Sequence, residues 1–177
     1  RELRLIPRDD RNDPDRAQAA DEYLVEQGVR AIVGHMTSGC SIAALPFADR
    51  TGTVFLSPTA STPLLSGRRD SFFRLQESTA QPAELLGQYA VETSAQSFAI
   101  LEDWDNQEYS EAFADSFVQG VRSAGGTVVA RKAFYESRWG RWDELVAPIL
   151  AKRPDGILIV ASARVTASFA QCLRDQM

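Results

Sequence analysis

The feature that most constrains this chain is the alternation of short apolar runs with segments of helical period. Residues 3–7, 29–33, 53–56, 71–75, 97–101, 127–134 and 155–160 read as strands. Helical patterns separate most of them. Strands alternating with helices imply βαβ units and parallel sheets, because parallel neighbours need a crossover that antiparallel hairpins do without. Local signals place the first helix. Asp13 is positioned to cap it, and Pro14 opens it where a missing N–H costs nothing. Ala17, Ala20 and Leu24 then share one apolar face, and Gly28 supplies the stop. Further helices are expected over 41–50, 82–91, across Phe113, Phe117 and Val121, over 142–151 and from about Arg164. So many strands exceed one small sheet, and the pattern breaks near Ser94. The fold class is therefore α/β, with two Rossmann-like lobes of parallel sheet over 1–93 and 94–177.

Composition excludes several classes. At 44% apolar and 24% charged residues, the chain has ordinary globular content rather than that of a disordered segment. The net charge is −5, and no basic stripe interleaved with aromatics marks a nucleic-acid surface. No apolar run approaches the roughly 18 residues of a membrane span. Cys40 and Cys172 are too few and too far apart for a disulfide framework or a zinc site, and read as small buried thiols. The chain starts at Arg1 and stops inside a helical pattern. Both lobes are accordingly expected to be incomplete.

In open α/β sheets ligands bind beyond the carboxyl ends of the strands, and three such ends are chemically rich. The first, Gly34-His35-Met36-Thr37-Ser38-Gly39, is a glycine-bounded turn into a helix. It sets hydroxyls and free N–H groups where an anion is favoured. Plain N-capping by Thr37 or Ser38 accounts for the same residues. The second, Ser57-Pro58-Thr59-Ala60-Ser61-Thr62-Pro63, holds four hydroxyls and two prolines. The prolines stiffen the turn, so its hydroxyls and the Ala60 and Ser61 amides are held at little entropic cost. An ordinary Ser/Thr-rich loop is the competing reading. The third runs from Glu102 to Tyr109 and combines acids with Trp104 and Tyr109; a solvated acidic loop capping a helix explains it equally well.

Signatures of catalysis are missing. No GxxxxGK[ST], GxGxxG or GxSxG run occurs. His35 is the single histidine, so a hydrolytic triad would have to join it to Ser38 or Ser41. A satisfied loop histidine is the simpler reading. The acids Asp9, Asp10 and Asp13 read as a solvated loop rather than a metal site. Trp139 and Trp142 read as packing at a helix start. No enzyme activity, metal or cofactor is expected.

Three stretches together resemble a known family. They are Ala31-Ile32-Val33-Gly34-His35-Met36-Thr37-Ser38, then Gly52 to Ser61 with Pro63-Leu64-Leu65, then Phe73-Arg74 followed by a helix and a strand ending near Tyr109. In order and spacing they resemble the type 1 periplasmic binding fold, in particular the branched-chain amino-acid binding proteins of ABC transporters. The resemblance implies a small ligand held between two hinged lobes. It matches Ser38 to the serine that receives a ligand carboxylate, and Thr59 and Ala60 to residues whose backbone faces the ligand. Ser61 matches the residue giving hydroxyl and amide to that carboxylate, and Tyr109 the aromatic that closes over it. Neutral fixed donors and a helix dipole can hold a carboxylate without an arginine, since the ion stays hydrogen-bonded on burial.

Two departures alter the expected pocket. The family's tyrosine after the third strand of the second lobe falls at Ser162 or Ala163, and Trp104 sits in a longer loop from which it can wall the cleft. The acidic residue that usually meets an α-ammonium would lie beyond Met177. The expected ligand is thus a small carboxylate or amide: an amino acid, an aromatic acid or an amide. The expected partner is the membrane permease of an ABC transporter, and the expected location periplasmic or extracellular with a lipid anchor. A ligand-sensing domain of a signalling or transcriptional protein is the alternative.

Overall fold

The computed structural model describes residues 3–93, 95–138 and 141–176. It divides into two compact units, Arg1–Ser78 and Thr79–Met177.

In the first unit, helix α1 (Pro14–Glu26) starts as its sequence requires: Asp13 Oδ1 accepts the Asp15 and Arg16 N–H groups, each at 3.0 Å. Strand β1 (Ala31–Val33), helix α2 (Ser38–Thr51), strand β2 (Val54–Ser57) and strand β3 (Phe72–Arg74) follow. The strands form a parallel sheet in the order β1-β2-β3. One face carries Ile32 and Phe55 into a core with Leu24 of α1 and Ala44, Phe47 and Ala48 of α2. On the opposite face Val33 is 75% exposed, and Phe73 and Val54 are exposed beside it. Residues 3–10, where a strand over 3–7 is expected, form no ladder. An extended segment becomes a strand only through pairing partners, and Leu3 and Leu5 lie exposed.

The second unit contains helix α3 (Ala80–Thr93), strand β4 (Ser97–Asp103), helix α4 (Gln107–Ser123), strand β5 (Thr127–Phe134), helix α5 (Trp142–Leu150), strand β6 (Gly156–Val160) and helix α6 (Ala163–Gln176). Its parallel sheet runs β5-β4-β6. Central β4 is buried on both faces. Alternate side chains of a strand point oppositely, so Phe98 and Ile100 join Val91, Ala114, Phe117 and Val121 from α3 and α4. Ala99 and Leu101 join Leu145, Val146, Ile149, Val165 and Phe169 from α5 and α6. Asp155 ties the strand starts together, its Oδ2 accepting from Gln96 N (3.0 Å), Ser97 N (2.8 Å) and Ser97 Oγ (2.8 Å).

The division at Ser78/Thr79 differs from the 93/94 boundary expected from sequence, because α3 belongs to the second unit. The cause lies at two glycines. A Cβ on Gly120 of α4 would overlap the Glu84 carbonyl of α3, and one on Gly87 would lie 2.8 Å from the Val121 nitrogen. Helix backbones this close need residues without side chains. The break near Ser94 marks the turn from α3 into β4, and Ser94 itself lies outside the described residues.

Candidate functional site

In the first unit the sequence-predicted residues converge at the carboxyl ends of β1 and β2. Helix α2 begins at Ser38, which is 2% exposed. Capping is not what its hydroxyls do: Thr37 stands at the N-cap without a side-chain cap bond, and its buried Oγ1 has no partner. Ser38 Oγ instead accepts the Thr62 N–H at 3.4 Å, joining the helix start to the proline-bounded turn. Ala60 and Ser61 are buried in that turn. Thr59 Oγ1 donates to the Met36 carbonyl at 2.5 Å, a second stitch between the two loops.

The turn is more internally bonded than its sequence suggests. The Ala60 N–H, expected to be available for a ligand, donates to Ser57 Oγ at 3.1 Å. Ser57 Oγ in turn donates to the His35 carbonyl at 2.7 Å. Arg74 braces the far side, with Nη1 on the Thr62 carbonyl and Nη2 on Ser66 Oγ, both at 2.6 Å. These bonds tie the two turns to each other and to Arg74.

His35 was expected to be a satisfied loop histidine, and its ring is engaged on both sides. Nδ1 lies 2.8 Å from Asp10 Oδ2, and Nε2 lies 3.1 Å from Asp21 Oδ2. Neither nitrogen is left to act as a base toward Ser38 or Ser41. The solvated-loop reading of Asp10 therefore gives way: one oxygen meets His35 and the other accepts Asn12 N–H at 2.9 Å. Sequence reading also missed Asp21. The buried residues of α1 are Ala17, Asp21 and Leu24, not Ala20. An acid on the core-facing stripe of a helix calls for a buried donor, and that signal was present in the spacing.

In the second unit the expected residues follow β4 and β6. Trp104 opens a 3-10 turn, Trp104–Asn106, capped by Asp103, whose Oδ1 accepts Asp105 N–H at 3.0 Å and Glu136 N–H at 3.1 Å. Burial raises the Asp103 pKa, against those backbone bonds. The Trp104 ring meets Tyr135 edge-on at 6.2 Å, and its buried Nε1 has no partner. Tyr109 lies in the first turn of α4, its ring 5.9 Å from Phe113 and its pKa raised by burial. Ser162 is committed within the unit. Its hydroxyl donates to Glu136 Oε2 at 3.0 Å and accepts Val165 N–H at 3.3 Å, and Glu136 also pairs with Arg164. Glu136 and Arg164 therefore occupy the surroundings of a position where an aromatic was the family expectation. Trp139 lies outside the described residues, whereas Trp142 packs between Phe134 and Phe169. No group of three potential metal ligands occurs among the described residues.

A parallel α/β architecture with hydroxyl-rich turns at its strand ends has a counterpart among known proteins. The sequence model of the periplasmic binding protein family matches residues 1–176. The chain belongs to that family. Among the chain's curated relatives, the leucine-specific-binding protein of Salmonella typhimurium is 28% identical over 123 residues, 68% of this chain and 33% of the relative. A leucine binding protein from Thermotoga maritima superposes with a TM-score of 0.85 at 22% identity, covering 95% of this chain and 48% of that one. A substrate-binding protein of an ABC transporter from Desulfitobacterium hafniense, in complex with Leu, gives 0.72 at 26% identity over 99% of this chain and 52% of that one. The matches thus span about a third of the curated relative's length and about half of each solved chain.

Proposed function

We propose that this chain is part of a solute receptor serving an ABC uptake transporter, and that it binds a small carboxylate-bearing ligand. The family membership and the leucine bound by its relatives support binding rather than catalysis. The observation that carries the proposal is the buried, unpaired Thr37 Oγ1 at the start of α2, next to Ser38 and the Ser61 turn. Buried polar atoms without partners are rare. A hydroxyl donor at a helix N-terminus suits a carboxylate, which the dipole favours. Ser38 and Ser61 supply further hydroxyls in this reading, and the fixed backbone of Thr59 and Ala60 lines the ligand. In the second unit, taken by itself, the unpaired Trp104 indole N–H and the Tyr109 ring after β4 are the candidate ligand contacts. A periplasmic location and docking to a membrane permease belong to the same proposal.

Calorimetric titration with leucine, 4-hydroxybenzoate and benzamide tests it. One of the two carboxylates is expected to bind. Hydrogen bonds to a charged group contribute about 1.5–3 kcal/mol each, so Ser38→Ala and Ser61→Ala are each expected to weaken binding roughly 10- to 100-fold. Binding that is unchanged in both variants, or benzamide binding as tightly as the acids, overturns the carboxylate assignment.

A further inference from the structure

We propose that His35 is a positioning residue of the binding turns, held as an imidazolium between Asp10 and Asp21, and that it makes ligand affinity depend on pH. Two ionised carboxylates facing the two ring nitrogens call for the charge. An ionised carboxylate only accepts hydrogen bonds. With Asp10 Oδ2 at 2.8 Å from one ring nitrogen and Asp21 Oδ2 at 3.1 Å from the other, both nitrogens must donate. A neutral ring has one N–H, so it would turn a lone pair toward one of the two oxygens. Asp21 makes that arrangement costly, being fully buried on α1 with its second oxygen unpaired.

The groups set against His35 come from each side. Asp10 lies in the segment before α1, Asp21 on α1, and the uncharged ring of Phe55 on β2 stacks at 6.3 Å. Burial pulls the His35 pKa down. The hydrogen bond and charge of Asp21, then those of Asp10, outweigh it, and the net direction is upward.

From the ring, the constraint passes through the backbone to the site. The His35 carbonyl accepts Ser57 Oγ at 2.7 Å and Ser41 Oγ at 3.4 Å. Ser57 Oγ then accepts Ala60 N–H at 3.1 Å, and the single Ser41 hydroxyl proton is shared with the nearer Thr37 carbonyl at 2.8 Å. One ring thus anchors the start of α2 and the turn carrying Ser61. Because the folded pKa lies above the unfolded value of about 6.5, the stabilisation is full below that value. It is lost as pH rises through the folded pKa.

This inference rests on the proposed ligand site only for its affinity arm. His35 is the single histidine, so its imidazole signals in the 177-residue chain need no assignment. In a nitrogen-15 NMR titration, both ring nitrogens are expected to be protonated at pH 6, with a midpoint above 6.5. Asp21→Asn is expected to lower that midpoint by about one pH unit or more. Asp10→Asn, on the more exposed carboxylate, gives the same direction should the first variant misfold. Hydrogen exchange at the Ala60 amide is the ligand-free readout of positioning, and its protection is expected to fall as the ring deprotonates. The affinity arm uses leucine as probe, or 4-hydroxybenzoate if that is the acid that binds, between pH 6 and 8.5. Affinity is expected to fall with pH in the native chain and to stay flat in His35→Gln. A midpoint at or below 6.5, or Ala60 protection indifferent to it, overturns the positioning role. Parallel pH profiles in the native chain and His35→Gln overturn the affinity coupling. Binding of neither acid at any pH defeats the carboxylate proposal and the affinity coupling, and leaves the NMR and exchange results to decide the positioning role.

Discussion

Replacing Gly120 by alanine tests the packing that assigns α3 to the second unit. Helix propensity alone predicts stabilisation by about 1 kcal/mol, since glycine is the poorer former within a helix. The structure predicts the opposite sign. The added methyl would overlap the Glu84 carbonyl, and two more backbone atoms of α3, Glu84 C at 2.8 Å and Gln88 N at 3.1 Å, crowd the same space. Backbone cannot swing aside as a flexible side chain does, so the helices must separate. Overpacking costs about 1–3 kcal/mol, occasionally more, and backbone overlap belongs at the upper end. With the propensity gain subtracted, the net loss is about 2 kcal/mol, or roughly 30-fold in the unfolding constant. All three tryptophans, Trp104, Trp139 and Trp142, follow residue 79, so their fluorescence reports on the second unit alone. The urea midpoint is expected to drop by about 1 M for a slope of about 2 kcal/mol/M. Gln119→Ala, at an exposed position one residue earlier, should stay within about 0.5 kcal/mol. A Gly120→Ala chain at least as stable as the native one would refute the close approach of α3 and α4, and with it the division at Ser78/Thr79.

Two further outcomes follow from the cores and from Asp155. In the first unit, Phe55→Ala is expected to cost about 3–5 kcal/mol, whereas Val33→Ala on the neighbouring strand should cost less than about 0.5 kcal/mol. The two side chains point to opposite faces, one buried and one open, and far-ultraviolet circular dichroism in urea checks the contrast; equal losses would mean that both faces are covered. The Asp155 pKa is held below its ordinary value by Ser97, through its hydroxyl, and by the Gln96 and Ser97 amides. Its contribution is therefore present above the ordinary carboxylate value and fades as pH falls through the lowered one. Asp155→Asn is expected to reduce the urea midpoint at pH 7 and to match the native chain once both are acidified below that range. A difference that persists unchanged in acid would remove the charge from the explanation.

The legible parts of the fold are those governed by neighbours in sequence. Asp13, Pro14 and Gly28 bound α1 as expected because capping and chain reversal involve residues only a few positions apart. The apolar run along β4 likewise announced a strand, although not which helices cover its two faces. The hydroxyl-rich loops were found because they follow strands, and Ser38 does meet the Ser61 turn through Thr62. Less visible was which donors stay available. Ala60 N–H binds Ser57 and the Ser162 hydroxyl binds Glu136, and the latter partner lies far along the chain.

The strand over 3–7 failed for a related reason. Apolar character makes a segment suitable for a sheet, but only a paired neighbour makes it a strand, and residues 3–10 have no ladder. Alternating pattern, caps and turn chemistry were enough to make this chain α/β with parallel sheets and to place its polar turns at strand ends. Tertiary structure alone decided that α3 packs on α4 through Gly87 and Gly120, and that Phe55 is buried while Val33 beside it is exposed. It also decided that His35 is clasped by Asp10 and Asp21. Local preferences act over one or two helical turns, whereas these three outcomes depend on which distant surfaces meet. Distance in sequence conceals that until the chain is folded.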